Sequence, residues 1–210
     1  MLWMYAVCAL TMLICLPFFM HYKKALRYKL ASAFKSLGTL GAASLALTAA
    51  LRLDPRCWVC FAALMLHAVA DWLLEFNLYW GEGFFLAGHI CYIAFFTNLF
   101  PVSAVHLIAA VCFLSVTAFL FWRWRKNIGE RMLPFAVYAA VLSVTAACAI
   151  GGLTGHTLQG QLIALGGALF FISDFFVLGR LLFSADRSVD WAVMILYYAA
   201  QLLIGISCLV

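Results

Sequence analysis

Seven ionisable residues fall within the long apolar stretches of this chain: Lys35, His67, Asp71, Glu75, Glu82, His89 and Asp174. An ionisable group in hydrocarbon costs about 2.5–3.5 kcal/mol on insertion scales, so such groups mark function by default. The chemistry open to them is proton transfer, or capture of the polar end of an amphiphile. Ser173, Tyr92, Tyr197, Tyr198 and Gln201 add polar atoms to the same stretches. Spacing groups them into stripes. His67, Asp71 and Glu75 recur every fourth residue and share one helical face. Glu82, Phe85, His89, Tyr92 and Phe96 make a second stripe, and Asp190, Met194, Tyr197 and Gln201 a third. Gly166 and Gly167 stand two turns before Asp174, where a neighbouring helix or a ligand can approach closely.

Plainer readings stand beside these. His67 lies deeper than the rest and fits a satisfied core histidine. Tyr79, Trp80, Glu75 and Glu82 fit an interfacial belt as well as a site. His21, His106 and His156 read as interfacial. Asp71 and Asp174 are the hardest to explain as structure alone. A buried carboxylate needs a basic partner, and only Lys35 or a histidine is available at their depth.

The elements that position these groups follow from composition. The 210 residues are 68% hydrophobic and 10% charged, against roughly half and a quarter in soluble domains. That excludes an ordinary soluble enzyme, a nucleic-acid module and a disordered chain. The expected fold is all-α, a polytopic membrane bundle. Apolar runs near 2–20, 31–51, 57–77, 82–100, 102–122, 132–151, 160–182 and 191–210 give eight transmembrane helices in one domain over 1–210. The third to fifth spans have very short connections, which predicts consecutive antiparallel neighbours. Lys23, Lys24, Arg27, Lys29, Arg123, Arg125, Lys126, Arg131, Arg180 and Arg187 are ten of the 13 basic residues and fall in odd-numbered loops or their edges. The positive-inside rule makes those loops cytoplasmic and puts both termini on the other side. The first apolar run precedes its positive charges, so it reads as a span and not as a cleaved leader.

Depth then brings the stripes together. At 1.5 Å per residue, Asp71, His89, Asp174, Tyr197 and Gln201 fall roughly 9–15 Å below the cytoplasmic boundary. Four helices thus supply polar atoms to one layer. This predicts a pocket open to the cytoplasm, walled by Phe, Leu and Trp, and suited to an amphiphile. The net charge of +5 reports orientation, not nucleic acid. Of the eight cysteines, Cys57 and Cys60 form a CxxC, but no second pair or nearby histidines complete a metal site.

Several of these segments resemble one family. Gly167-Ala-Leu-Phe-Phe-Ile-Ser-Asp174 is similar to the GAxxFxxSD signature of the YhhN-type lysoplasmalogenases. Gly88-His89-x2-Tyr92 resembles their GHxxY helix, and Tyr198-x2-Gln201-x-Leu203-Ile204 their closing YxxQxLI helix. The chain has Ala70-Asp71 where the family usually shows Gly-Asp, and Lys35-Ser36 where it often shows Lys-Pro. The resemblance implies hydrolysis of the vinyl-ether bond of a lysoplasmalogen, a lysophospholipid. The products are a fatty aldehyde and glycerophosphoethanolamine or glycerophosphocholine. It implies no metal and no other cofactor. The expected setting is a bacterial inner membrane or the endoplasmic reticulum, with the chain a monomer or homodimer among membrane lipids.

Vinyl-ether hydrolysis begins with a proton delivered to the β-carbon. Water then captures the oxocarbenium ion as a hemiacetal, which collapses to aldehyde and alcohol. The chemistry needs an acid, an anion to face the cation and a base for the water. Two buried carboxyls near each other can hold one proton between them, the logic of glycosidases. Asp71 and Asp174 are therefore the expected acid/base pair, with His89 as third catalytic residue. Tyr92, Tyr197, Tyr198, Gln201, Glu75 and Ser173 are expected around the substrate. Lys35 and the first-loop bases are expected to attract its phosphate. The alternative is a small proton-coupled transporter using the same acidic and histidine residues. No internal repeat supports that alternative, and the polar layer sits toward one face.

Overall fold

The structure, a computed structural model, describes residues 2–183 and 187–210. The side chain of Arg187, counted above among the loop bases, lies outside the described residues. Every regular element described is helical. We label the rods α1 (Leu2–Lys24), α2 (Tyr28–Arg52), α3 (Cys57–Leu73), α4 (Leu78–Leu99), α5 (Ala104–Ile128), α6 (Met132–Gly151), α7 (Leu158–Phe183) and α8 (Arg187–Ser207).

Local sequence explains the breaks. Pro17 lacks an N–H and its ring crowds the carbonyl four residues back. A π turn at Thr11–Cys15 absorbs the mismatch, so α1 continues as one rod. Asn77 caps α4 by accepting from the Tyr79 and Trp80 amides at 3.1 and 3.2 Å. Ser103 caps α5 together with His106, whose Nδ1 lies 3.0 Å from the Ser103 hydroxyl. His106 is thus a buried cap residue at the start of α5. Gly129 takes φ +60° between α5 and α6, where a side chain would be strained.

Among the described residues, five stretches are long and apolar enough to cross a membrane: Leu2–Lys24, Tyr28–Arg52, Ala104–Gly155, Leu158–Phe183 and Ser188–Ser207. The stretch Ala104–Gly155 holds both α5 and α6, which fold back against each other after Gly129. The 17-residue α3 and the glycine-bearing α4 fall outside that set.

Six rods close a ring in the order α2, α3, α4, α6, α7, α8 and back to α2. Outside it, α1 lies on α2 and α5 lies on α6. This corrects the expectation that the third to fifth spans are all side-by-side neighbours. The short link through Pro101 does not lay α5 along α4; α4 takes α6 as its partner instead. The phenyl ring of Phe100 fills the space beside Gly152, Gly155 and Gly160 at that end of the bundle. Large apolar side chains such as Leu107, Ile108 and Val111 cover the outside of α5 and are exposed, as lipid contact requires.

Small residues set the spacing within the ring. Gly166 faces α8, and Gly167 faces Ala149 of α6. The close approach expected before Asp174 is therefore made by helices. A Cβ on Gly166 would stand 2.8 Å from the Ile204 side chain and 3.1 Å from the Ala200 carbonyl oxygen. Gly166→Leu should consequently push α7 from α8 and cost about 1–3 kcal/mol. Thermal unfolding in detergent measures this, with Leu165→Ala, on an exposed position, as the expected near-neutral control.

Candidate functional site

The ring closes around two hydrogen-bonded clusters. The first is built on Asp71 of α3, which is fully buried. Its Oδ2 accepts from Thr39 at 2.5 Å and from Tyr197 at 2.7 Å. Its Oδ1 faces the Lys35 ammonium at 3.1 Å. One carboxylate thus joins α2, α3 and α8. Lys35 also lies 5.8 and 5.7 Å from the ring centroids of Phe85 and Tyr197, within the range of cation–π attraction.

Gln201 extends this cluster inward. Its amide nitrogen donates to Tyr197 at 3.0 Å and pairs with His67 Nδ1 at 2.9 Å, and its oxygen accepts from Tyr92 at 2.6 Å. An amide donating to Nδ1 leaves the His67 proton on Nε2. That Nε2 is buried and has no hydrogen-bond partner among the described residues. His67 is therefore a member of the network rather than a fully satisfied core residue. Aromatic rings enclose it, with Phe85, Tyr92 and Phe170 centred 4.9 to 5.3 Å away.

The second cluster is built on Asp174 of α7. Its Oδ2 accepts a short hydrogen bond from Tyr138 of α6. The same hydroxyl lies 3.3 Å from Nε2 of His89 in α4. His89 is closed to solvent, and its Nδ1 has no partner among the described residues. Its ring centre lies 5.0 Å from that of His67, so the clusters adjoin through the two imidazoles.

A cavity of about 110 Å³ opens beside Asp174, which is enough for several waters or a narrow chain. Lys35, Glu82, Tyr138, Ser173, Asp174 and Tyr197 supply its polar wall, and Leu74, Leu142, Phe121 and Phe135 part of its apolar wall. Asp71 and His89 are not on that wall. Asp71 reaches the cavity through Lys35 and Tyr197, and His89 through Tyr138. The two aspartates thus keep separate hydrogen-bond partners in neighbouring clusters.

The other residues singled out in the sequence fall as follows. Tyr92 and Gln201 stand in the first cluster. Ser173 lines the cavity but donates to the Val193 carbonyl at 3.0 Å, tying α7 to α8. Tyr198 donates to the Phe34 and Lys35 carbonyls at 3.2 and 3.1 Å and packs on Gly38. It braces α2 at Lys35 and does not line the cavity. Glu75 leaves the stripe of His67 and Asp71, because α3 ends at Leu73. Its carboxylate turns toward Lys23 at 3.9 Å. Tyr79 and Trp80 are exposed, as a membrane belt would be. Thr39 and Tyr138 were not singled out. A tyrosine and a threonine are ordinary in apolar helices; the one signal was the i, i+4 spacing of Thr39 from Lys35.

A family model described as the YhhN family matches residues 30–208. The chain belongs to the YhhN family. Compared with curated proteins and with solved structures, it matches none. The match in this YhhN chain starts near the N-terminal end of α2, five residues before Lys35, and spans every residue of both clusters.

The buried pair makes a prediction. Asp71→Asn leaves the Lys35 ammonium without its counter-charge and should cost about 3–5 kcal/mol. Adding Lys35→Met should recover a substantial part of the loss. Unfolding of the two single variants and the double variant in detergent measures the coupling. Purely additive losses would contradict the pair.

Proposed function

We propose that the chain hydrolyses the vinyl-ether bond of lysoplasmalogens, with Asp174 as the proton donor and the base that takes the proton back, and with Asp71, expected above as its acid/base partner, holding Lys35 and Tyr197 in place instead. The observation that carries this is the Asp174 carboxyl on the cavity wall, held by Tyr138 and surrounded by apolar side chains. Membership of the YhhN family supports the reaction class. All eight rods cross the membrane in this reading, with both termini external and the basic ends of the helices cytoplasmic.

The fatty chain enters among Phe121, Phe135, Leu142 and Leu178, placing the enol-ether carbons beside Asp174. The Asp174 carboxyl gives its proton to the β-carbon, and the C=C electron pair forms the new C–H bond. The resulting oxocarbenium ion faces the carboxylate just formed. Water adds to the cationic carbon and returns a proton to Asp174. The hemiacetal collapses as its hydroxyl proton passes to the departing glycerol oxygen, giving aldehyde and alcohol. Lys35 on the cavity wall would repel the cation if its charge were free. Asp71 neutralises it and holds the Tyr197 hydroxyl, fixing the ring of Tyr197 in the cavity wall. His89 acts as a positioning residue through Tyr138.

Asp174→Asn keeps the shape and removes the proton. Aldehyde release from a lysoplasmalogen should fall by at least about 10²-fold, the scale of a lost general acid, with the thermal unfolding profile retained. Tyr138→Phe should lower turnover less and leave substrate affinity unchanged. Near-normal turnover by Asp174→Asn would defeat the assignment. In liposomes without any gradient, the wild type should release aldehyde; solute flux without bond cleavage would identify a carrier instead.

A further inference from the structure

A second cavity, of about 650 Å³, lies at the basic end of the bundle. It is walled by the end of α1, the start of α2, the residues after α3, the end of α7 and the start of α8. Lys23, Lys24, Arg180 and His21 bring positive or proton-accepting groups to it, and Glu75 and Asp190 bring carboxylates. Two ion pairs stand in its wall. Lys23 and Glu75 are loosely paired at 3.9 Å, and Arg180 is tightly bonded to Asp190. Trp191 and Tyr28 add aromatic faces. Charges of both signs thus line one space, beside the apolar side chains of Met20 and Leu26.

This cavity adjoins the first one. Leu74 lines one and Glu75 the other; Leu181 and Arg180, then Val193 and Asp190, repeat the division. The same three helix ends carry both walls, within a turn of helix, about 5.4 Å.

We propose that the second cavity binds the phosphodiester head group of a single-chain amphiphile whose tail lies in the first cavity. Lys23, Lys24 and Arg180 take the phosphate, Arg180 through its planar fork. Glu75, Asp190 and the Trp191 face take the terminal ammonium. The mixed lining matches a zwitterion better than a simple anion, for which the two carboxylates would be repulsive. Lys35, neutralised by Asp71, is not the phosphate ligand. The proposal deepens the hydrolase reading by naming where its head group sits, but binding alone is enough to test it.

The probe is a saturated-ether lysophosphoethanolamine, which has the head group and no vinyl-ether bond to cleave. Its affinity for the purified full-length protein in detergent is compared with that of the matching alkylglycerol, which lacks the phosphate. Lys23→Gln and Arg180→Gln should each weaken the phospholipid roughly tenfold, the scale of one charge-assisted hydrogen bond, and leave the alkylglycerol unchanged. Inorganic phosphate alone at millimolar concentration should compete poorly, which separates a lipid head group from a free-phosphate site. A lysophosphatidic acid, which lacks the ammonium, should bind more weakly than the zwitterion. Unchanged phospholipid affinity in both variants, or equal loss for both ligands, would overturn the proposal. A wild type that binds the phospholipid in this pattern but releases no aldehyde from a lysoplasmalogen would defeat the reaction and leave the head-group site standing.

Discussion

Lys35 and Asp71 face each other at 3.1 Å between α2 and α3, with the Asp71 side chain shut off from solvent. Removing one charge from such a pair is far costlier than removing both, so each residue fixes the other. Thr39 and Tyr197 complete the hydrogen bonding of Asp71, and Tyr197 passes the constraint to Gln201, His67 and Tyr92. The result is a rigid polar partition on one side of the cavity. The other side carries Asp174 with Tyr138. The arrangement separates two jobs that a pair of carboxyls can do: one holds a lysine and its neighbours in place, and the other stays available on the cavity wall.

The tight packing of the ring serves that separation. Small residues on α2, α7 and α8 allow the close helix approach that lets Ser173 tie α7 to the α8 backbone and Tyr198 tie α8 to α2. These short reaches set the positions of Asp174 and Lys35 without using either side chain. Lipid offers no hydrophobic drive to press helices together, so small-residue contacts and interhelical hydrogen bonds must do this.

Much of this was legible in the sequence, because a charge in an apolar run has few reasons to be there. Lys35, Asp71, His89 and Asp174 all announce themselves that way, and the helix positions follow from the apolar runs. Three things were not legible. Tyr138 and Thr39 carry no charge, so α6 looked like plain apolar helix although it supplies the hydrogen bond to Asp174. Glu75 has the spacing to join Asp71, but spacing predicts a shared face only while the helix continues, and α3 stops at Leu73. The neighbour relations failed at α4 and α5, since loop length limits the distance between helix ends and not the direction in which the next helix leaves.

The central claim is that Asp174 delivers a proton to carbon. The most direct test is turnover of a lysoplasmalogen in deuterium oxide, with the aldehyde reduced at once to the alcohol and analysed by mass spectrometry and NMR. The account predicts one deuterium on the carbon next to the former aldehyde, added to a single face because the donor is fixed in the wall. Aldehyde product with no deuterium at that carbon, or with deuterium on both faces equally, would contradict it.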